Sequence, residues 1–129
     1  MNHATTNAWI LLAVDLASRH TPASLNDIIG AADTFNHAIP LHIEIQTAIG
    51  WLMQEGFVDQ RGNGFVLTGR GKTLMNEVES RTAKPFDVWD LLKQRFISAN
   101  TPVNVADISE AEYQSACEEY YSRATGVKR

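Results

Sequence analysis

The chain has 129 residues and a formal net charge of -4, with 44% hydrophobic residues. That length fits one domain, or one domain with an appendage, and the apolar content excludes a disordered tail. No stretch reaches the ~20 apolar residues that a membrane helix requires. The longest apolar run, Ala8 to Val14, stops at Asp15, and no basic segment precedes it, so it does not read as a signal peptide. Cys117 is the sole cysteine, so it has no internal disulfide partner and no second thiol with which to hold zinc. These features point to a reducing, cytoplasmic setting.

In chain order, Thr5 to Arg19 reads as a helix, with Trp9, Leu12, Ala13 and Leu16 on one stripe and Ile10, Leu11 and Val14 making it apolar on further sides. Ser24 and Asp27 form a capping-box variant that opens a second helix, carried by Leu25, Ile28, Ile29, Ala32 and Phe35 and ended before Pro40. Leu41 to Glu55 reads as a third helix, with Leu41, Ile45, Ala48, Ile49 and Leu52 inward and Gly56 as a left-handed cap. Two short strands, Phe57 to Gln60 and Phe65 to Thr68, flank the turn Arg61-Gly62-Asn63-Gly64 and form a hairpin. Thr68 caps a fourth helix from Gly69 to Arg81, with Leu74 and Val78 inward.

Lys84-Pro85 is the best candidate boundary. It separates a first unit, residues 1–81, from a C-terminal helical extension, residues 85–129. In the extension, Phe86 to Ile97 carries Val88, Trp89, Leu92 and Phe96 on one side. A loop with Pro102 follows, and a Ser109/Glu112 capping box opens a last helix to Arg123. Tyr113, Ala116, Cys117 and Tyr120 form the stripe of that helix. The fold class is therefore mainly α with a small β-hairpin.

The phrases Leu52-Met53-Gln54-Glu55-Gly56-Phe57-Val58 and Leu67-Thr68-Gly69-Arg70-Gly71, in this order of elements, resemble the winged helix-turn-helix of MarR- and PadR-type bacterial transcriptional regulators. The likeness covers about residues 5–81. It implies a DNA-binding regulator whose recognition helix spans residues 41–55 and whose wing spans residues 57–68. It also implies dimerisation through terminal helices. In such a protein the early residues of the recognition helix meet base edges. The outward positions here are His42, Ile43, Gln46, Thr47, Gly50 and Gln54. Gln46 suits adenine, and Thr47 suits a thymine methyl or a phosphate. Arg61, Asn63, Arg70 and Lys72 are the candidate phosphate contacts at the wing and the fourth helix.

Charge opposes this reading. Regulators gain much of their affinity by neutralising phosphates. Yet no Lys or Arg lies between Arg19 and Arg61, and Glu44 sits near the expected groove face. The alternative is a winged helix that has lost DNA binding and docks a protein. Ile43 and Trp51, with Trp89, Phe96, Tyr113, Tyr120 and Tyr121, are its candidate interface residues. The same aromatics could instead pack the C-terminal helices onto the first unit, or build a homodimer.

Catalytic and metal readings find little to stand on. No pair among His3, His20, His37 and His42 has the i, i+4 spacing of ligands on one helix, so no metal or cofactor is expected. Gly69-Arg70-Gly71-Lys72-Thr73 lacks the glycine at position 66, here Val66, that a phosphate loop needs. Cys117 falls on an apolar stripe, where a thiol is inert, and no paired carboxylates are placed for acid–base work. An enzyme is not expected.

Overall fold

The computed structural model describes residues 2–97 and 105–125. Six helices and one hairpin follow in the order α1 (His3–Ala17), α2 (Leu25–Asn36), α3 (His42–Gln54), β1 (Val58–Arg61), β2 (Gly64–Leu67), α4 (Gly69–Glu79), α5 (Pro85–Phe96) and α6 (Glu110–Thr125). The order and types match those expected from sequence, with ends shifted by one to two residues. The expected loop with Pro102 lies outside the described residues.

Local chemistry explains most boundaries. Ser24 accepts from the Asp27 amide while the Asp27 carboxylate accepts from the Ser24 amide, which closes the expected capping box. Thr68 Oγ1 accepts from the Gly71 amide at 3.0 Å and donates to the Gly56 carbonyl at 2.6 Å, so one hydroxyl ties the end of α3 to the start of α4. Gly56 has φ +78°, the left-handed conformation that glycine adopts at least cost. Gly71 is required for a different reason: a Cβ there would lie 2.2 Å from the Phe57 carbonyl oxygen. Ser109 and Glu112 form the second capping box at α6.

The core gathers on α1. Ala8, Ile10, Leu11 and Val14 have no exposure at all, because α2, α3 and α5 pack around this helix. A helix that is apolar on several sides is stable only when covered on several sides. Ile10, Leu11 and Val14 each contribute about 1.5–3 kcal/mol on burial. Trp9 donates its indole N–H to the Ala32 carbonyl at 3.0 Å, and Trp89 on α5 donates to the Thr5 carbonyl at 3.0 Å. The hairpin is antiparallel, pairing Val58 with Leu67 and Arg61 with Gly64 around the turn Gly62-Asn63. Ala23 extends it by exchanging both backbone hydrogen bonds with Phe65 at 2.9 Å.

The C-terminal helices fold back: α5 lies against α1 and α4, and α6 lies against α2. Three assignments differ in the structure, two inward and one outward. Leu16 is 45% exposed, because it sits at the edge of the α1 stripe near the helix end. Leu41 is the N-cap of α3 and is 61% exposed. Trp51, assigned to the outside of α3, is buried because Phe57 and Phe96 close over it, with ring centroids at 6.3 and 4.8 Å.

Candidate functional site

The first turns of α3 carry the side chains expected to meet DNA, and their own chain engages them. Residues 105–108 run across this helix. The Ala106 amide donates to the Gln46 carbonyl at 3.0 Å, and Gln46 Nε2 donates to the Ala106 carbonyl at 3.3 Å. His42 Nε2 lies 2.6 Å from the Ile108 carbonyl, so this nitrogen carries the proton, a carbonyl being able only to accept. The His42 ring also stacks at 5.3 Å on Tyr113, whose hydroxyl donates to the Pro40 carbonyl at 2.6 Å. Burial and a hydrogen bond to Cys117 push the Tyr113 hydroxyl upward in pKa. Of the six positions expected to point outward, Gly50 is buried, while His42, Gln46, Thr47 and Gln54 are half-buried. Ile43 alone stays well exposed, at 59%.

Glu44 has a local duty. Its carboxylate accepts from the Leu41 amide at 2.9 Å and completes the first turn of α3. An acid there also suits the positive end of the helix dipole. The acid that opposes DNA is thus a helix cap.

The basic candidates sit elsewhere. Arg61 and Asn63 are exposed on the hairpin, and Lys72 is exposed on α4. Arg70 places its guanidinium 4.7 Å from the Phe57 ring centroid, a cation–π contact that still leaves it exposed. Arg95 pairs with Glu77 beside this region.

Most candidate interface residues turn inward. Trp51 and Phe96 are buried together. Trp89 is half-buried against Trp9 and Phe35. Tyr113 is half-buried over His42, and Tyr120 donates its hydroxyl to Asp33 Oδ2 at 2.6 Å, which raises the Tyr120 pKa to about 12. Ile43 on α3 and Tyr121 on α6 remain outward.

Two features had no part in the sequence reading. Asn7 lies inside the apolar run of α1 and is 4% exposed. Among the described residues its Oδ1 finds no hydrogen-bond partner. It lines a notch of about 110 Å³ with Thr6, Ile43, Glu44 and Thr47. An amide inside an apolar helix is a readable signal, since buried polar groups normally have partners. The second is a cleft of about 300 Å³ beside Asp15, formed where α1, α2 and the α4–α5 connection meet. Burial raises the Asp15 pKa, and the neighbouring Arg19 only partly opposes it.

Among the described residues no group of three or more His, Cys, Asp or Glu is placed to hold a metal ion. Cys117 is buried on α6. No helix among them is long and apolar enough to cross a membrane. Comparison with protein-family models, curated proteins and solved structures finds no match.

Proposed function

We propose that the chain is a winged-helix-type module that works by docking another protein, rather than by reading DNA with α3. The helices, the Ala23–Phe65 bridge and the hairpin agree with that architecture. One observation carries the functional reading: Gln46, the best base-reading side chain, is bonded twice to Ala106 of its own chain. Groove entry by α3 would require residues 105–108 to leave, without any basic side chain on α3 to repay that loss through phosphate contacts.

The docking surface is the start of α3. Ile43 and Leu41 offer exposed apolar area, and Glu44 and Thr47 offer acceptors beside it. Acceptors and one carboxylate, with no Lys or Arg among the residues that line the notch, favour a partner that presents an apolar side chain next to a Lys or Arg.

Peptide display against the folded chain tests this. Selected peptides should combine Leu- or Ile-like residues with Lys or Arg, and Ile43→Glu should abolish the selection. Glu44→Gln keeps the cap, since Gln also serves in capping boxes, and should remove the preference for basic residues. In parallel, random duplex DNA at low salt should show no retention at about 10 µM protein, a concentration at which non-specific DNA binders are retained. Retention that is lost in Arg61→Ala/Lys72→Ala would overturn the reading in favour of DNA.

A further inference from the structure

The cleft beside Asp15 joins an apolar lining to an unbalanced charge. Leu12 on α1, Ala31 and Phe35 on α2, and Val88 on α5 supply the lining. Asp15, Arg19 and Glu79 supply the charges, two carboxylates to one guanidinium. The volume of about 300 Å³ lies at the small end of the range for ligand pockets.

Asp15 is the group within this cleft that invites a partner. Its side chain is only 20% exposed, and the Arg19 guanidinium stands 3.7 Å away. That long ion pair engages one carboxylate oxygen and leaves the other free to accept, since a carboxylate has about four acceptor sites. Arg19 is itself 59% exposed, free to swing to solvent at little cost. A half-buried carboxylate surrounded by Leu, Phe and Val is well matched by a donor that brings a positive charge and its own apolar surface.

We propose that this cleft binds a small organic cation: an apolar, single-ring body carrying one ammonium group. The ammonium pairs with Asp15, with Glu79 adding attraction, and the body packs against Leu12, Phe35 and Val88. An anion of the same shape is repelled by the two carboxylates. This site stands apart from the start of α3 and does not depend on the docking reading.

Calorimetric titration of the whole chain with 4-phenylbutylamine, 4-phenylbutanol and 4-phenylbutyrate tests it. The amine should bind below about 1 mM, with the butyrate at least about tenfold weaker and the alcohol between them. Asp15→Asn should weaken the amine by about tenfold and leave the alcohol unchanged, whereas Arg19→Ala should leave amine binding equal or tighter. Ala31→Leu, which narrows the cleft from α2, should weaken both amine and alcohol. Backbone amide shifts should cluster around Asp15 and Phe35. Three outcomes overturn the proposal: butyrate binding as tight as the amine, Asp15→Asn binding the amine like the parent, or no heat from the amine up to about 5 mM.

Discussion

Gln46 and Ala106, sixty positions apart, hold each other through two hydrogen bonds, one from the Ala106 amide to the Gln46 carbonyl and one from the Gln46 side chain to the Ala106 carbonyl. The pair fixes residues 105–108 along α3 and sets the entry to α6. With the His42 contact to Ile108, it covers the His42 and Gln46 side of α3 and leaves Leu41 and Ile43 exposed.

Ala106→Pro removes the amide donor and places a ring against α3. Losing one intramolecular hydrogen bond of this kind costs about 1 kcal/mol. Urea denaturation should show that loss with an unchanged slope. Hydrogen exchange gives a local check, since the Ala106 amide should be protected in the parent chain. Fast exchange at Ala106 would show that residues 105–108 do not lie on α3.

Gly69 and Gly71 stand two positions apart in α4 and should respond oppositely to alanine. At Gly69 an added Cβ meets nothing within 4 Å, while at Gly71 it meets the Phe57 carbonyl oxygen at 2.2 Å. Gly69→Ala should be neutral or raise stability by up to about 1 kcal/mol through helix propensity. Gly71→Ala must push backbone apart and should cost at least about 2 kcal/mol. Thermal melts of both variants decide it, and equal midpoints would refute the close approach of α4 to Phe57.

Those two glycines also show what was legible in the sequence. Ser24, Thr68, Ser109 and Gly56 act within three or four residues of themselves, so their capping roles could be read directly. The hairpin was legible for the same reason. Trp51 was misplaced because its cover, Phe96, lies on another helix. The cover over His42 and Gln46 was invisible because nothing in Val105-Ala106-Asp107-Ile108 names its partner. Leu41 could be read as core by spacing, yet an N-cap residue lies outside the helical register, and this one stays in solvent. The Asp15 cleft needs three elements to meet, and spacing along one helix carries no trace of that.

Tyr120 joins α6 to α2 through its bond to Asp33, and this contact depends on pH. The hydroxyl must keep its proton to donate, and its pKa rises from the ordinary 10.0 to about 12 in the fold, first through that bond. The neutral phenol is therefore favoured by folding. Its contribution is fully present below about pH 10 and is lost as pH climbs through about 12. Tyr120→Phe should cost about 1 kcal/mol near neutrality, the scale of one such hydrogen bond. The gap between variant and parent should close between those two values in chemical denaturation. A gap that persists at pH 12 would show that Tyr120 stabilises by packing alone.

Asp15 carries the opposite balance. Burial is the largest influence on it and raises its pKa above the usual 3.8, so the fold disfavours the charged form. A carboxylate raised in this way helps folding below its unfolded pKa and loses that help as pH rises through its folded value. Above that point it is a standing cost, and its exposed partner Arg19 returns little. Asp15→Asn keeps the shape and removes the charge. The variant should melt at a higher temperature than the parent at pH 7 and at nearly the same temperature at pH 3. An unchanged midpoint at pH 7 would place Asp15 in water, and with it the anchor of the cleft. A higher midpoint together with lost amine binding would mean that the chain keeps a destabilising charge where a ligand needs it.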